Sequence, residues 1–307
     1  MAGTAVVAID IRCRDWTVQM KTENMRKYWH PDLQMYVPSI TSCDVDSKAW
    51  LAPWAAKATL TCAMEFAKTK PITEWTEDDI KWIKKETKRQ AERGRDIGTI
   101  FHEMALDGFL ANGRKWPLVQ EGKSWDTVCD AAREFTGYIE MARGFGEWCA
   151  KYVQDVVDTE FVVFGDRYGG RADLLATVSN YAWLTKKAQK ETEEVYHLTY
   201  CDLKTSNQYS EFTPLQLAGY REGDGRVDDN GKSAGGLIIR VDKDNAVHNI
   251  DGDKKKRVVY TKYCTDEVLS NAYRKLMHRV NFIWADTEWE NVWKNVEKGE
   301  LVVDGDD

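Results

Sequence analysis

Asp202 and Lys204 place a carboxylate and an ammonium two residues apart, within Tyr200-Cys201-Asp202-Leu203-Lys204-Thr205-Ser206. The run before them is apolar and strand-like, and side chains two apart on a strand point to the same face. This pairing suits one chemistry well. The carboxylate holds a divalent cation, and the amine orients a water or helps to deprotonate it. An Asp-x-Lys triplet alone is usually a surface ion pair, so its surroundings decide.

Three other short motifs accompany it in a fixed order. Gly98-Thr99-Ile100-Phe101-His102 comes first, on a stretch where Ile97, Ile100, Phe101, Met104, Ala105 and Phe109 follow the three-and-four spacing of a buried helical stripe. Gly170-Arg171-Ala172-Asp173 opens a strand before the triplet. Gln216-Leu217-Ala218-Gly219-Tyr220 follows it on a helix, with Gln216 and Tyr220 four apart and so on one face.

The elements that must position these residues are legible from period and punctuation. Residues 1 to about 35 show no clear period, and Pro38 to Ser42 reads as extended or turn-like. A helix is predicted from Lys48 to Lys68, carrying Trp50 and Trp54 and ended by Pro71. Thr76 followed by Glu77-Asp78-Asp79 marks the next helix start, with acids in its first turn. That helix runs basic to about Arg93, and Gly94 is its expected stop. A separate helix carries the His102 stripe, and another spans 127–153, weakened by Gly137, Gly144 and Gly146. The period then changes to two. Strands are predicted over Val157–Phe164, Arg171–Val178 and Val195–Lys204, with a turn at 165–170 and a polar insertion over about 185–194. A short helix from Thr213 to Arg221 has Pro214 in its first turn. Asp224 to Gly236 is a loop, Gly235–Val241 and Arg257–Tyr263 are late strands, and 266–298 is helical with Trp284, Trp289 and Trp293.

Taken in order, G-x-x-x-H, G-x-x-D, D-x-K and Q-x-x-x-Y resemble the RecB-type branch of the PD-(D/E)XK nucleases. The pattern is most similar to phage-type exonucleases and to the mitochondrial and CRISPR-adaptation nucleases related to them. It covers roughly residues 97–221, and Pro38-Ser39-Ile40-Thr41 with Trp50 to Ala56 also looks like the N-terminal part of phage members. Each motif is weak singly; the ordered set is specific. The resemblance implies an α/β fold with a restriction-endonuclease-like core, a mixed central sheet flanked by helices, and a helical N-terminal region. It divides the chain into a helical region (1–95), a nuclease core (96–265) and C-terminal helices packed on the core (266–307).

It also implies roles. Asp173 and Asp202 would hold one or two Mg²⁺ or Mn²⁺ ions with the Leu203 carbonyl, and His102 would complete the shell. Lys204 would position or activate the attacking water and touch the scissile phosphate. Gln216 and Tyr220 would brace Lys204 and the DNA backbone, and Glu160 is an extra candidate carboxylate. The implied activity is exonucleolytic hydrolysis of linear DNA, phage-encoded and serving recombination, replication or repair. A single-strand annealing or recombination protein is the implied partner. A structure-specific endonuclease and a catalytically weak DNA-end-binding protein are the alternatives. Intact Asp173, Asp202 and Lys204 speak against the last of these.

The chemistry agrees with those roles independently. Phosphodiester hydrolysis needs a nucleophile made from water and a cation to absorb transition-state charge. Hard oxygen ligands with one imidazole suit Mg²⁺ or Mn²⁺. Zinc of the structural or protease kind does not fit, because there is no C-x-x-C, and Leu106 stands where H-E-x-x-H needs a second histidine. Two departures from the family stand out. The acid of the triplet is Asp where Glu is common. The cysteines grouped near the C-terminus of the CRISPR-adaptation members are lacking, only Cys264 lying there, so no iron–sulfur cluster is expected.

Composition fits a globular chain of 307 residues, 43% hydrophobic and 30% charged. No stretch approaches the roughly 20 apolar residues of a membrane span, and no signal-peptide pattern is seen at the start, so a cytoplasmic location and no membrane partner are expected. A net charge of −7 argues against coating nucleic acid through bulk charge but allows a local basic groove. The run Lys81–Arg95 is either such a groove or a solvated helix face. Arg171 either binds phosphate or pairs with an acid. Gln216 and Tyr220 serve function or packing, and the tryptophans are mostly core anchors, with one or two free to stack on bases. Seven cysteines without close pairing read as isolated thiols. Oligomeric state, cleavage polarity and strand preference have no counterpart in the sequence.

Overall fold

The computed structural model of the protein describes residues 26–43, 47–206 and 209–297. Its frame is a five-stranded mixed sheet in the order β3 (Val153–Phe164), β4 (Gly169–Ser179), β5 (Tyr196–Lys204), β6 (Gly235–Val241), β7 (Val259–Cys264). Only β5 and β6 pair in parallel; the other neighbours are antiparallel. A small hairpin of β1 (Lys27–His30) and β2 (Met35–Pro38) precedes the helices α1 (Ser47–Ala67) and α2 (Glu77–His102). That hairpin leaves no readable period in the sequence, because each strand is only four residues long. Shorter helices α3 (Asp130–Arg133), α4 (Tyr138–Tyr152), α5 (Lys186–Glu191), α6 (Thr213–Asp224) and α7 (Lys243–Asp251) follow in turn, and α8 (Asp266–Glu297) closes the described chain. Cys13, the acidic end at Asp304–Asp307, and the side chains of Trp50, Trp54, Trp289 and Trp293 lie outside what is described. Among the described residues no helix is long and apolar enough to cross a membrane.

Period two builds the two cores. Cys201, Leu203, Leu237, Ile239 and Val241 face α2, α4 and α7, while Tyr200 and Ile238 face α6 and α8. Each face is therefore covered by helices, as a sheet with a parallel central pair requires. Asp202 is on the α6 face and is fully buried there.

Several boundaries differ from the sequence reading, each for a physical reason. Gly94 does not stop a helix; α2 runs unbroken for 26 residues, about 39 Å at 1.5 Å per residue. It starts as expected, with Thr76 and Asp79 forming a reciprocal capping box. The expected 127–153 helix is interrupted between Arg133 and Tyr138. Gly137 sits at the α4 N-cap, where a side chain would meet the Phe135 ring 2.5 Å away. The strand expected from Val157 begins at Val153, directly after α4. The polar insertion loops out of the sheet as the hairpin needs. Asn180 clasps it, its backbone N–H donating to Val195 O at 2.8 Å and its side chain meeting Val195 N and Glu193 O.

Two motif glycines owe their place to packing. A Cβ at Gly170 would stand 2.7 Å from Ile40 Cδ1, and one at Gly219 would stand 2.8 Å from the same atom. Ile40, fully buried in a 3₁₀ turn after β2, thus wedges between β4 and α6. Gly219→Ala is expected to cost about 1–3 kcal/mol through overpacking, read by denaturant melting. Ile40→Val should recover part of that loss in the double variant; strict additivity would count against the shared wedge.

Candidate metal centre

The site forms where β4 and β5 separate. Their ladder begins at Leu174↔Cys201, and the next position is not backbone-paired. Instead the Leu203 backbone N–H donates to Asp173 Oδ2 at 2.8 Å. N–H and C=O of one strand residue point to the same side, so the Leu203 carbonyl also faces this opening. On the other side of β4, pairing passes from Thr159↔Leu174 to Phe161↔Ala172, leaving Glu160 opposite Asp173. Glu160 has φ 51°, a left-handed backbone that non-glycine residues seldom adopt. Strain of this kind persists where surroundings enforce it, and it is common at functional sites.

His102 enters from the last residue of α2. Immediately after it the backbone widens into a π-helical turn, Glu103–Leu110, closed by the Ala111 N–H on Leu106 O at 3.1 Å. Such turns are rare and cluster at functional positions. Gly98, one turn earlier, admits the chain beyond Lys204, since a Cβ there would meet Thr205 Oγ1 at 2.9 Å.

One ligand atom from each of His102, Glu160 and Asp173 can be chosen so that all lie within 4.8 Å of one another. His102 Nδ1 is 3.8 Å from Asp173 Oδ2. Burial, then the nearby Lys204 ammonium, pull the His102 ring down to about 4, leaving it neutral near pH 7 with a lone pair to offer. A backbone hydrogen bond with Leu203 acts the other way by favouring the protonated ring.

Lys204 Nζ lies 2.6 Å from Asp202 Oδ2. Even so, neither Asp202 oxygen meets a donor at hydrogen-bond angles among the described residues, although both are buried. Burial pushes Asp202 up to about 6 against the pull of Lys204, and burial likewise raises Asp173. Burial disfavours the Lys204 ammonium, but Asp202 and Asp173 outweigh it and the net shift is upward. Buried carboxylates held above their usual range beside one ammonium form a site short of positive charge. A divalent cation suits that donor set of carboxylates, one neutral imidazole and one carbonyl.

Not all expected residues sit where the sequence placed them. Asp173, His102 and Glu160 come together, with Leu203 beside them. Asp202 adjoins the group, but its carboxylate is engaged with Lys204. Arg171 pairs with an acid: its Nε is 2.7 Å from Glu160 Oε2, and the rest of its side chain is exposed. Gln216 and Tyr220 are both buried in the packing of α6 on the sheet. Tyr220 presses against Gly170, its Cε1 2.9 Å from the site of a Cβ there, and lies close enough to Asp202 and Asp173 to feel their charge. Neither residue presents a free surface to a ligand.

Two residues that the motifs did not mark also face the site. Arg95 and Lys243 line a cavity of about 320 Å³ with His102, Leu203, Lys204 and Thr205. A larger cavity of about 640 Å³ shares Gly94 and Lys243 with it and extends along α2 past Arg93 and Arg89. Part of the basic run Lys81–Arg95 therefore faces a groove beside the site. Lys243 gave no sequence signal, because α7 buries too few side chains to show a period. Compared with known proteins, the chain matches no family model and no curated protein.

Proposed function

We propose that the protein is a divalent-metal-dependent deoxyribonuclease on a restriction-endonuclease-like core, acting exonucleolytically on linear DNA. The convergence of His102, Glu160 and Asp173 beside the Asp202–Lys204 pair supports this reading above all else. His102, Glu160, Asp173, Asp202 and the Leu203 carbonyl are the residues that would hold Mg²⁺ or Mn²⁺. Such an ion, when bound, lowers the pKa of a coordinated water and screens the charge that builds on the phosphate. Lys204 stays protonated and donates hydrogen bonds, to the attacking water or to a non-bridging phosphate oxygen. Arg171 balances Glu160, and Asp173 is oriented by the Leu203 N–H.

The groove along α2 fits a polyanion that approaches the carboxylates from the basic side. The expected setting is the cytoplasm, a host's if the chain is phage-encoded, in recombination, replication or repair with an annealing or recombination protein. Linear and covalently closed circular DNA, each offered with Mn²⁺ or Mg²⁺, test the mode. Stepwise loss of nucleotides from linear DNA with circles intact is expected. Cut circles would replace the exonuclease reading with an endonuclease on the same core.

A further inference from the structure

Past Lys204, on the same face of the sheet, lies a group of cations and tyrosines that the metal site does not use. The register places Arg240 of β6 beside Lys204, and Tyr260 of β7 beside Arg240. With strands about 4.8 Å apart, Tyr260 is about 10 Å from Lys204 along this row, roughly three base rises of a DNA strand. The Arg240 guanidinium lies over the Tyr260 ring at 4.5 Å and over Tyr209 at 5.6 Å. Arg257 lies over Tyr260 at 5.1 Å, and the Lys262 ammonium over Tyr209 at 5.8 Å. Asp242 takes one edge of Arg240 at 3.2 Å. Arg257 and Lys262 are exposed. The Arg240 side chain is only 13% exposed and braces the rings, whereas Arg257 and Lys262 keep exposed N–H donors that a phosphate can meet.

A basic loop continues this row. Lys254, Lys255, Lys256 and Arg257 are consecutive and exposed. Their backbone is pinned from one side of α7. Asn249, almost fully buried, donates to Lys256 O at 2.8 Å and accepts from Lys256 N at 2.7 Å. Asn245 donates to Arg257 O at 2.9 Å and to the Tyr260 hydroxyl at 3.2 Å. A solvated charge run needs no such clasp. This one fixes four cations next to the tyrosine row, in a chain whose net charge is −7.

We propose that this surface, Arg240 with Tyr260 and Tyr209, Lys262 and the loop Lys254–Arg257, is a second DNA-binding arm. It grips the phosphates of the strand beyond the cleavage point, on the side of Lys204 away from the metal ligands. Its placement relative to a cleavage point rests on the nuclease reading; its affinity for DNA does not. The test uses the full chain in chelator and a short duplex with a single-stranded tail, with affinity measured between about 50 and 200 mM salt. The triple variant Lys254→Gln, Lys256→Gln, Lys262→Gln should flatten the slope of log affinity against log salt by about 2 to 3, at about 0.7–0.9 per lost phosphate contact. It should also bind more weakly at the lowest salt, by about tenfold or more. The triple Lys→Arg variant at the same positions should behave as wild type, and Lys262→Gln alone should lower the slope by about one. A glutamine variant with wild-type slope and affinity, an arginine variant as weak as the glutamine one, or wild-type protein that binds no DNA overturns the arm. Wild-type protein that binds with the full slope yet leaves the same DNA uncut when Mg²⁺ or Mn²⁺ is added overturns the nuclease reading and leaves the arm standing.

Discussion

Lys204→Ala is expected to lower the turnover of linear DNA by about 10³-fold, within the 10²–10⁴ range of a lost proton-transfer or charge-stabilising group. KM should change far less, because in the proposed mechanism Lys204 acts on the reacting phosphate while Arg89, Arg93 and Arg95 supply most of the charge along the groove. The same change has a second consequence. It removes the only cation within ion-pair distance of Asp202 among the described residues and strands a buried carboxylate. Breaking a buried pair from one side costs about 3–5 kcal/mol, so the metal-free variant should melt below wild type. Added Mn²⁺ should close most of that gap, since the ion supplies the missing charge. Lys204→Arg should keep the metal-free melting temperature but regain little turnover, because a planar guanidinium does not replace a compact ammonium at one oxygen. Equal cutting by wild type and Lys204→Ala, or no cutting by either, would defeat the mechanism.

Divalent metal should stabilise the wild-type protein strongly, and more at neutral than at acidic pH. Asp202 is held at about 6 in the folded chain against a usual 3.8, and Asp173 is also raised. A carboxyl raised by folding binds its proton more tightly in the folded state. Its destabilising effect is absent below the usual value and complete above the raised one. Between about pH 4 and 6 the metal-free protein should therefore lose stability as pH rises, by about 3 kcal/mol from Asp202. That corresponds to a melting shift of about 5 °C for a chain of this size. Mn²⁺ relieves this burden only when the carboxylates are ionised. The rise in melting temperature on adding Mn²⁺ should thus be large at pH 7.5 and small at pH 5. Asp173→Asn should abolish most of it at both. An equal rise at the two pH values, or an undiminished rise in Asp173→Asn, would remove the metal centre as drawn.

The parts of the fold that the sequence disclosed are those with strong periods. β6 begins and ends where alternation predicts, and β4, β5 and α6 differ from expectation by a few residues at their ends. Elements with little buried surface escaped. α7 buries only Ala246 and Asn249, which is too few to set a helical period. Gly94 misled because a mid-helix glycine usually signals an end. Here it gives room to the Lys243 ammonium, which lies 3.4 Å from where its Cβ would stand. For the site, the ordered motifs named His102, Asp173, Asp202 and Lys204, and the fold brings His102 beside Asp173 and Lys204 beside Asp202. They were weaker on Glu160, whose only mark is its register opposite Asp173 once the hairpin is laid out. They could not show that Gln216 and Tyr220 face inward, because a helix covered on several sides has no single polar face to read.

One mechanical consequence follows from the length of α2. A single unbroken helix carries Trp82 near one end, against Phe66 of α1, and His102 at the other. The α1–α2 pair and the imidazole are thus joined by one continuous rod. The far half of this rod is anchored, with Ile97, Ile100 and Phe101 buried in the core and Asp96 accepting from the Cys129 N–H, and the π turn after His102 is the nearest point where the backbone departs from regular helical geometry. The Phe66–Trp82 contact and the His102 imidazole, more than 20 Å apart at 1.5 Å per residue, are therefore held in one fixed relation by a single element.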